Sequence, residues 1–203
     1  MSKKKRSEAL DYALDMLETA VSAVLFMVLI FTFVMRSAIV SGESMEDTLS
    51  DGDVLLMRNF FYTPKKGDII VVRSNVLDKL LVKRVIAVSG EKVVIDYVND
   101  KIYVCKKDKE PDQADIIDES YIKEQDIIDP EAYFSEEHFD KENNRYEYTV
   151  PVGYVFVLGD NRNDSTDSRA IGLIDINDVD GKAFFRLSSP KGHKKIGFLD
   201  QEV

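Results

Sequence analysis

"DKLLVKRVIAVSGEKVVIDYVNDKIYVC", residues 78–105, carries the reading of the fold. Two runs rich in Val and Ile are divided by Ser89-Gly90, and the second turns back at Asn99-Asp100. Turn residues between β-branched runs predict consecutive antiparallel strands rather than a helix. Along the first strand, Leu81, Lys83, Val85 and Ala87 share one face, with Leu80, Val82, Arg84, Ile86 and Val88 on the other. Lys83 is thereby set among aliphatic neighbours. Working outward, "DVLLMRNFFY" and "GDIIVVRS" precede this hairpin, while "YEYTVPVGYVFVLGD" and "KAFFRLS" follow it. Each is a short β-prone run bounded by Gly, Pro or Asp. The expected fold is mostly β, an antiparallel core built from residues 37–95 and 150–203. Residues 96–149 hold 17 Asp/Glu against 7 Lys/Arg, the whole of the net charge of −10, and read as a small acidic inserted lobe. Such a surface repels phosphate backbones, so nucleic acid is not an expected partner.

Upstream lies "TAVSAVLFMVLIFTFVM", Thr19 to Met35, 17 uncharged residues ending at Arg36. At about 1.5 Å per residue this helix would cover roughly 25 Å, the short end of a bilayer crossing. A cleaved leader would want a shorter apolar core and a better small-x-small exit than "SAIVSG". A buried soluble helix would want a polar stripe, and none is present. A spanning helix over 19–36 fits best, with the lipid bilayer as a partner. "KKKR" at residues 3–6 places the segment 1–18 in the cytoplasm and all that follows outside, by the bias of basic residues toward the inner face. The tail "GHKKIGFLDQEV" brings no second anchor.

Chemistry has few candidates. Cys105 is the one cysteine, so no internal disulfide or multi-thiolate metal site is expected, and it reads as a half-buried strand residue. His138 and His193 lie far apart in polar contexts, which disfavours metal or imidazole chemistry; no metal and no cofactor are expected. Eight residues beyond Arg36 stands Ser44, in "SGESMEDTLSDGD". A serine hydroxyl needs a base to become nucleophilic. Lys83 offers one, because burying an ammonium lowers its pKa and frees a neutral amine. The same lysine could instead stand at a sheet edge with its amine in water. Arg84 is always charged and cannot serve. A third segment, "GDNRNDSTDSRAIG" at residues 159–172, crowds turn formers, charges and hydroxyls behind an apolar strand. It reads as a polar loop or as a hydrogen-bonded network in which Asp167 pairs with Arg169 and Ser165 aims the Lys83 amine.

These segments, in this order and behind the apolar run, resemble the bacterial type I signal peptidases, also called leader peptidases. The resemblance runs from the apolar segment to about Gly172, the acidic lobe excepted. It implies a membrane-anchored serine endopeptidase acting on signal-peptide-bearing precursor proteins, with Ser44 as nucleophile and Lys83 as general base. It further implies that Ser165 positions the lysine and that Asp167 and Arg169 hold the loop. Asp160 and Arg162 fall in its structural part, and Met45 packs beside the nucleophile and the substrate. Lysine at position 83 favours the bacterial branch over the histidine-using branch of the endoplasmic reticulum. The sequence departs from the family at Asp47, where proline is usual, at Ser89 and Glu91, and at Gly42, which lacks the hydroxyl some relatives use to stabilise an oxyanion. Two other readings stand beside this one. The chain could be a non-catalytic relative that assembles with partners through its acidic lobe. It could also be a self-cleaving Ser-Lys protease of the repressor type, although such a protein would bring a DNA-binding helix-turn-helix.

Overall fold

The computed structural model describes residues 3–33, 35–46, 48–96, 99, 101–106, 115–116, 122, 138–140, 142, 144–190 and 195–199. The chain divides into two compact units, Met1–Arg36 and Ser37–Val203.

The first unit is a single helix, α1 (Lys3–Phe33). Its apolar segment Leu10–Ile30 has 21 residues and a mean hydropathy of 2.0. At about 1.5 Å per residue that is roughly 31 Å, close to the thickness of a bilayer core. The polar run before Thr19 is therefore helical too, and Leu10, Leu14 and Leu17 extend the apolar surface among Asp11, Asp15 and Glu18. The helix ends at Phe33, short of the expected Arg36, because β1 (Met35–Ile39) has already begun.

The second unit is two antiparallel sheets. After β1 come β2 (Val54–Arg58), β3 (Ile69–Ser74), β4 (Lys79–Val88), β5 (Glu91–Asp96) and β6 (Lys101–Lys106). Then follow β7 (Asp115–Ile116), β8 (Phe139–Asp140), β9 (Arg145–Thr149) and β10 (Tyr154–Leu158). A short helix α2 (Ser168–Ile171) precedes β11 (Ile174–Asp175), β12 (Val179–Ser188) and β13 (Gly197–Phe198). One sheet runs β1-β2-β12-β3-β4-β10-β11 with β13 against β12, and the other runs β7-β6-β5-β9-β8. Among the described residues every pairing from β2 onward is antiparallel.

The 78–105 stretch forms β4, β5 and β6. The hairpin turn sits between Asp96 and Lys101, which face each other. The acidic lobe does not begin cleanly at 96. Its sheet is centred on β5, and β5 and β9 bury Val93, Ile95 and Tyr146 against Ile86, Phe156 and Leu158 of the first sheet. Both sheets share one core there. Cys105 is buried rather than half-buried, its Sγ toward the Lys92 carbonyl. His138 packs on Tyr148 with ring centroids 4.2 Å apart. His193 and Asp47 lie outside the described residues.

Strand β4 departs from simple alternation. Val157 faces Val85 and Phe156 faces Ala87, leaving Ile86 as an extra residue in a bulge. Beyond the bulge Ala87 turns into the core between the sheets, whereas Leu81 and Val85 stay with Ile70 and Val72. The expected common face of Leu81, Lys83, Val85 and Ala87 therefore breaks before Ala87. The family departures at Ser89 and Glu91 are absorbed here. Ser89 Oγ donates to the Tyr154 carbonyl at 3.2 Å and accepts from Gly153 N–H at 3.2 Å, while Glu91 accepts from Val88 N–H at 2.9 Å.

Candidate active site

Ser44 stands in a turn between β1 and β2. Glu46 N–H donates to the Glu43 carbonyl at 2.9 Å, and Leu49 N–H to the Met45 carbonyl at 2.7 Å. Met45 and Leu49, both buried, anchor the turn among Val40, Leu55, Ile69 and Ala183. Gly42 enters it at φ +92°, a conformation that favours glycine, with its N–H bonded to Asp51 at 2.9 Å. At the far end, Arg186 donates to the Thr48 carbonyl and pairs with buried Asp53 at 2.9 Å.

Lys83 arrives from β4, opposite Ile70 of β3. It is only 2% exposed, and its Nζ lies 2.6 Å from Ser44 Oγ. Burial lowers its pKa from 10.5 to about 8; the Asp167 and Asp160 carboxylates oppose the shift, and the Lys79 and Arg169 charges add to it. An amine so placed and easily made neutral is competent to take the serine proton.

The segment 159–172 wraps behind this pair. Arg169 holds Asp167 through two contacts of 2.8 Å and donates to the Arg162 carbonyl at 2.8 Å. Burial would raise the Asp167 pKa, but the Arg169 charge and hydrogen bond and the Gly159 N–H hold it below the usual range. Arg162 is buried and donates to the Gly159 carbonyl at 3.0 Å. Ser165 is buried in the same loop, where its hydroxyl helps to hold the Asp167 carboxyl below the usual range, and among the described residues no hydrogen bond joins it to Lys83. The reason is its position. A Cβ on Gly159 would lie 2.1 Å from Ser165 Oγ and 2.4 Å from the Ser44 carbonyl oxygen, so the hydroxyl faces the junction of loop and nucleophile turn.

Two arrangements escaped the sequence reading. Arg84, adjacent to Lys83, clasps Asp160 with its Nε at 2.9 Å and a terminal nitrogen at 2.7 Å, both partners fully buried. The same Asp160 accepts from Thr48 Oγ1, which ties strand, loop and nucleophile turn together. Asn161 donates its backbone N–H to the Ser44 carbonyl at 3.1 Å and its Nδ2 to the Glu43 carbonyl at 3.2 Å. The only signal for either was the density of polar residues in the loop.

In front of Ser44 and Lys83 opens a cleft of about 470 Å³. Residues 37–41 form one wall and residues 79–82 the other, with Met45, Met57 and Val71 between them. Its size falls within the usual range of ligand sites.

Comparison with known proteins shows which family the chain is similar to. The family described as signal peptidase, peptidase S26, matches residues 13–188. Signal peptidase IB of Staphylococcus aureus is 35% identical over 188 residues, 85% of this chain and 89% of its own length. Signal peptidase I of Bacillus caldolyticus is 35% identical over 159 residues, 76% of this chain and 80% of its own length. The crystal structure of a signal peptidase I from Enterococcus faecalis, 27% identical, covers 60% of this chain and 97% of its own, with a TM-score of 0.40. By the extent of the family match and the identity to the staphylococcal relative, the chain belongs to the signal peptidases of peptidase family S26.

Proposed function

We propose that the chain cleaves signal peptides from exported precursors through a Ser44 nucleophile and a neutral Lys83 base. The observation that carries this reading is the 2.6 Å approach of a buried amine to the Ser44 hydroxyl. Lys83 takes the hydroxyl proton as Ser44 Oγ attacks the scissile carbonyl, and the resulting ammonium gives that proton to the departing amine. The acyl-enzyme is then hydrolysed by a water that the same amine deprotonates. Asp167, Arg169, Asp160 and Arg162 hold the loop around this pair. Ser165 keeps a positioning role by lying against the nucleophile turn rather than by bonding the amine in the resting protein.

The cleft suits an extended peptide. In β4, pairing with β10 begins at Arg84, so residues 79–83 leave one edge open on the approach to the base. A substrate strand adding to that edge would satisfy its main-chain groups and carry its carbonyl to Ser44. Between Met45 and the aliphatic walls there is space for small side chains, as the small-x-small ends of secretory signals require.

The basic residues 3–6 at the start of α1 orient the N-terminus to the cytoplasm and the second unit to the outer face, with the apolar part of α1 as a single span of the plasma membrane. Ser44 follows Arg36 by eight residues, so it acts near the bilayer, where a precursor's own apolar segment still resides. Residues 37–95 and 150–203 form the catalytic part, and residues 96–149 the added lobe. Purified Ser44→Ala and Lys83→Ala proteins should each lose cleavage of a secretory precursor by at least about a thousandfold. Processing at the normal rate by either would refute the assignment and favour the non-catalytic assembly role.

A further inference from the structure

We infer that Asn161 is a positioning residue that aims the Ser44 backbone N–H into the cleft as an oxyanion donor. The inference rests on the Ser44 and Lys83 reading above. Gly42 contributes no hydroxyl, and its own N–H is committed to Asp51 at 2.9 Å. The donors for the oxygen of a tetrahedral intermediate must therefore come largely from the backbone of the nucleophile turn. In a trans peptide the carbonyl and the following N–H point in opposite directions. The Glu43 carbonyl is fixed from one side by two donors, Glu46 N–H at 2.9 Å and Asn161 Nδ2 at 3.2 Å. Its partner across the same peptide plane, the Ser44 N–H, is thereby turned away from the loop. No acceptor among the described residues takes that N–H, and Ser44 itself lines the cleft. The next carbonyl, that of Ser44, is held on the same side by Asn161 N–H at 3.1 Å. One residue thus grips two consecutive peptide planes. Its backbone bond survives any side-chain change, so the amide of Asn161 can be tested separately from the fold of the loop.

The experiment uses the full chain in detergent with three probes: a peptide substrate, a peptide boronate that forms a tetrahedral adduct on Ser44, and a non-hydrolysable peptide amide. Asn161→Ala removes the clamp, and Asn161→Leu removes it while keeping the side-chain volume should the alanine variant fold poorly. A misdirected donor should lower kcat roughly tenfold to a hundredfold and weaken the boronate by a similar factor. The affinity of the peptide amide, KM and the midpoint of the pH–rate curve should stay within twofold. Equal weakening of boronate and peptide amide would show a loosened cleft, and an unchanged boronate affinity would show that the amide aims nothing; either overturns the inference. The Ser44→Ala control separates this from the underlying reading, since residual cleavage by that variant would remove the nucleophile on which the inference depends.

Discussion

At the scale of single residues, the proposed function depends on how burial treats one amine. The protonated form of Lys83 is the one that burial penalises, so the proton leaves near pH 8 instead of 10.5. In the proposed mechanism the active species is the free base. Activity must therefore rise with pH, roughly tenfold per unit below the midpoint, and level off above about 8. A pH series of kcat/KM on a soluble peptide checks this, and a flat profile between pH 6 and pH 8 would contradict it. Gly159 is a second decisive position, for the opposite reason that it has no side chain. An alanine Cβ there would press 2.1 Å from Ser165 Oγ and 2.4 Å from the Ser44 carbonyl oxygen. Something must shift, and both the Ser165 side chain and the nucleophile turn stand in the way. Gly159→Ala should lower kcat/KM by about a hundredfold, since small misplacements of reacting groups carry costs of that order. The melting temperature should fall only modestly, by the equivalent of about 1–3 kcal/mol of overpacking.

At the scale of elements, three pieces must meet: the turn carrying Ser44, strand β4 carrying Lys83, and the loop after β10. Lys83 and Arg84 are neighbours with different partners, one meeting Ser44 Oγ and the other gripping Asp160. Since Asp160 also accepts from Thr48 Oγ1, it sits where all three pieces cross. Both members of the Arg84–Asp160 pair are fully buried, and removing one leaves the other charged without its counterion. Asp160→Ala should therefore destabilise the protein by about 3–5 kcal/mol, read from the urea midpoint, with activity lost at temperatures where the wild type is fully folded. The bulge at Ile86 belongs to this scale too. It lets β4 feed Val85 to one core and both Ile86 and Ala87 to the other, so the strand is covered on both faces.

At the scale of the whole molecule, the chain joins a long apolar helix to a β unit that is compact in its own right. A protein lacking residues 1–33 should fold and cleave a soluble peptide at close to the full-length rate. Its processing of a membrane-embedded precursor should drop by about a hundredfold, because tethering supplies effective concentration rather than chemistry. Comparing the two substrates in vesicles checks this, and an equal loss on both would mean that the helix contributes to the fold of the site. The β runs, the hairpin at residues 91–106 and the long helix were legible because each is a local pattern of apolar spacing and turn residues. The Asp167–Arg169 pair was legible because its members are two residues apart. The Arg84–Asp160 clasp, 76 residues apart in sequence, was not, and neither was the grip of Asn161 on residues 43–44.

By itself the sequence determined which residues could do chemistry, how the strands alternate, and that an apolar segment precedes Ser44. These follow from side-chain type and short-range order, which the chain carries wherever it folds. Only the tertiary structure decided that 39 residues of separation close to 2.6 Å, and that the lysine is buried rather than extended into water. It also decided that among the described residues no hydrogen bond joins Ser165 to the amine, and that the added lobe shares its core with the first sheet. Distance and dielectric belong to the packed arrangement of many segments at once, and a lysine becomes a base only through both.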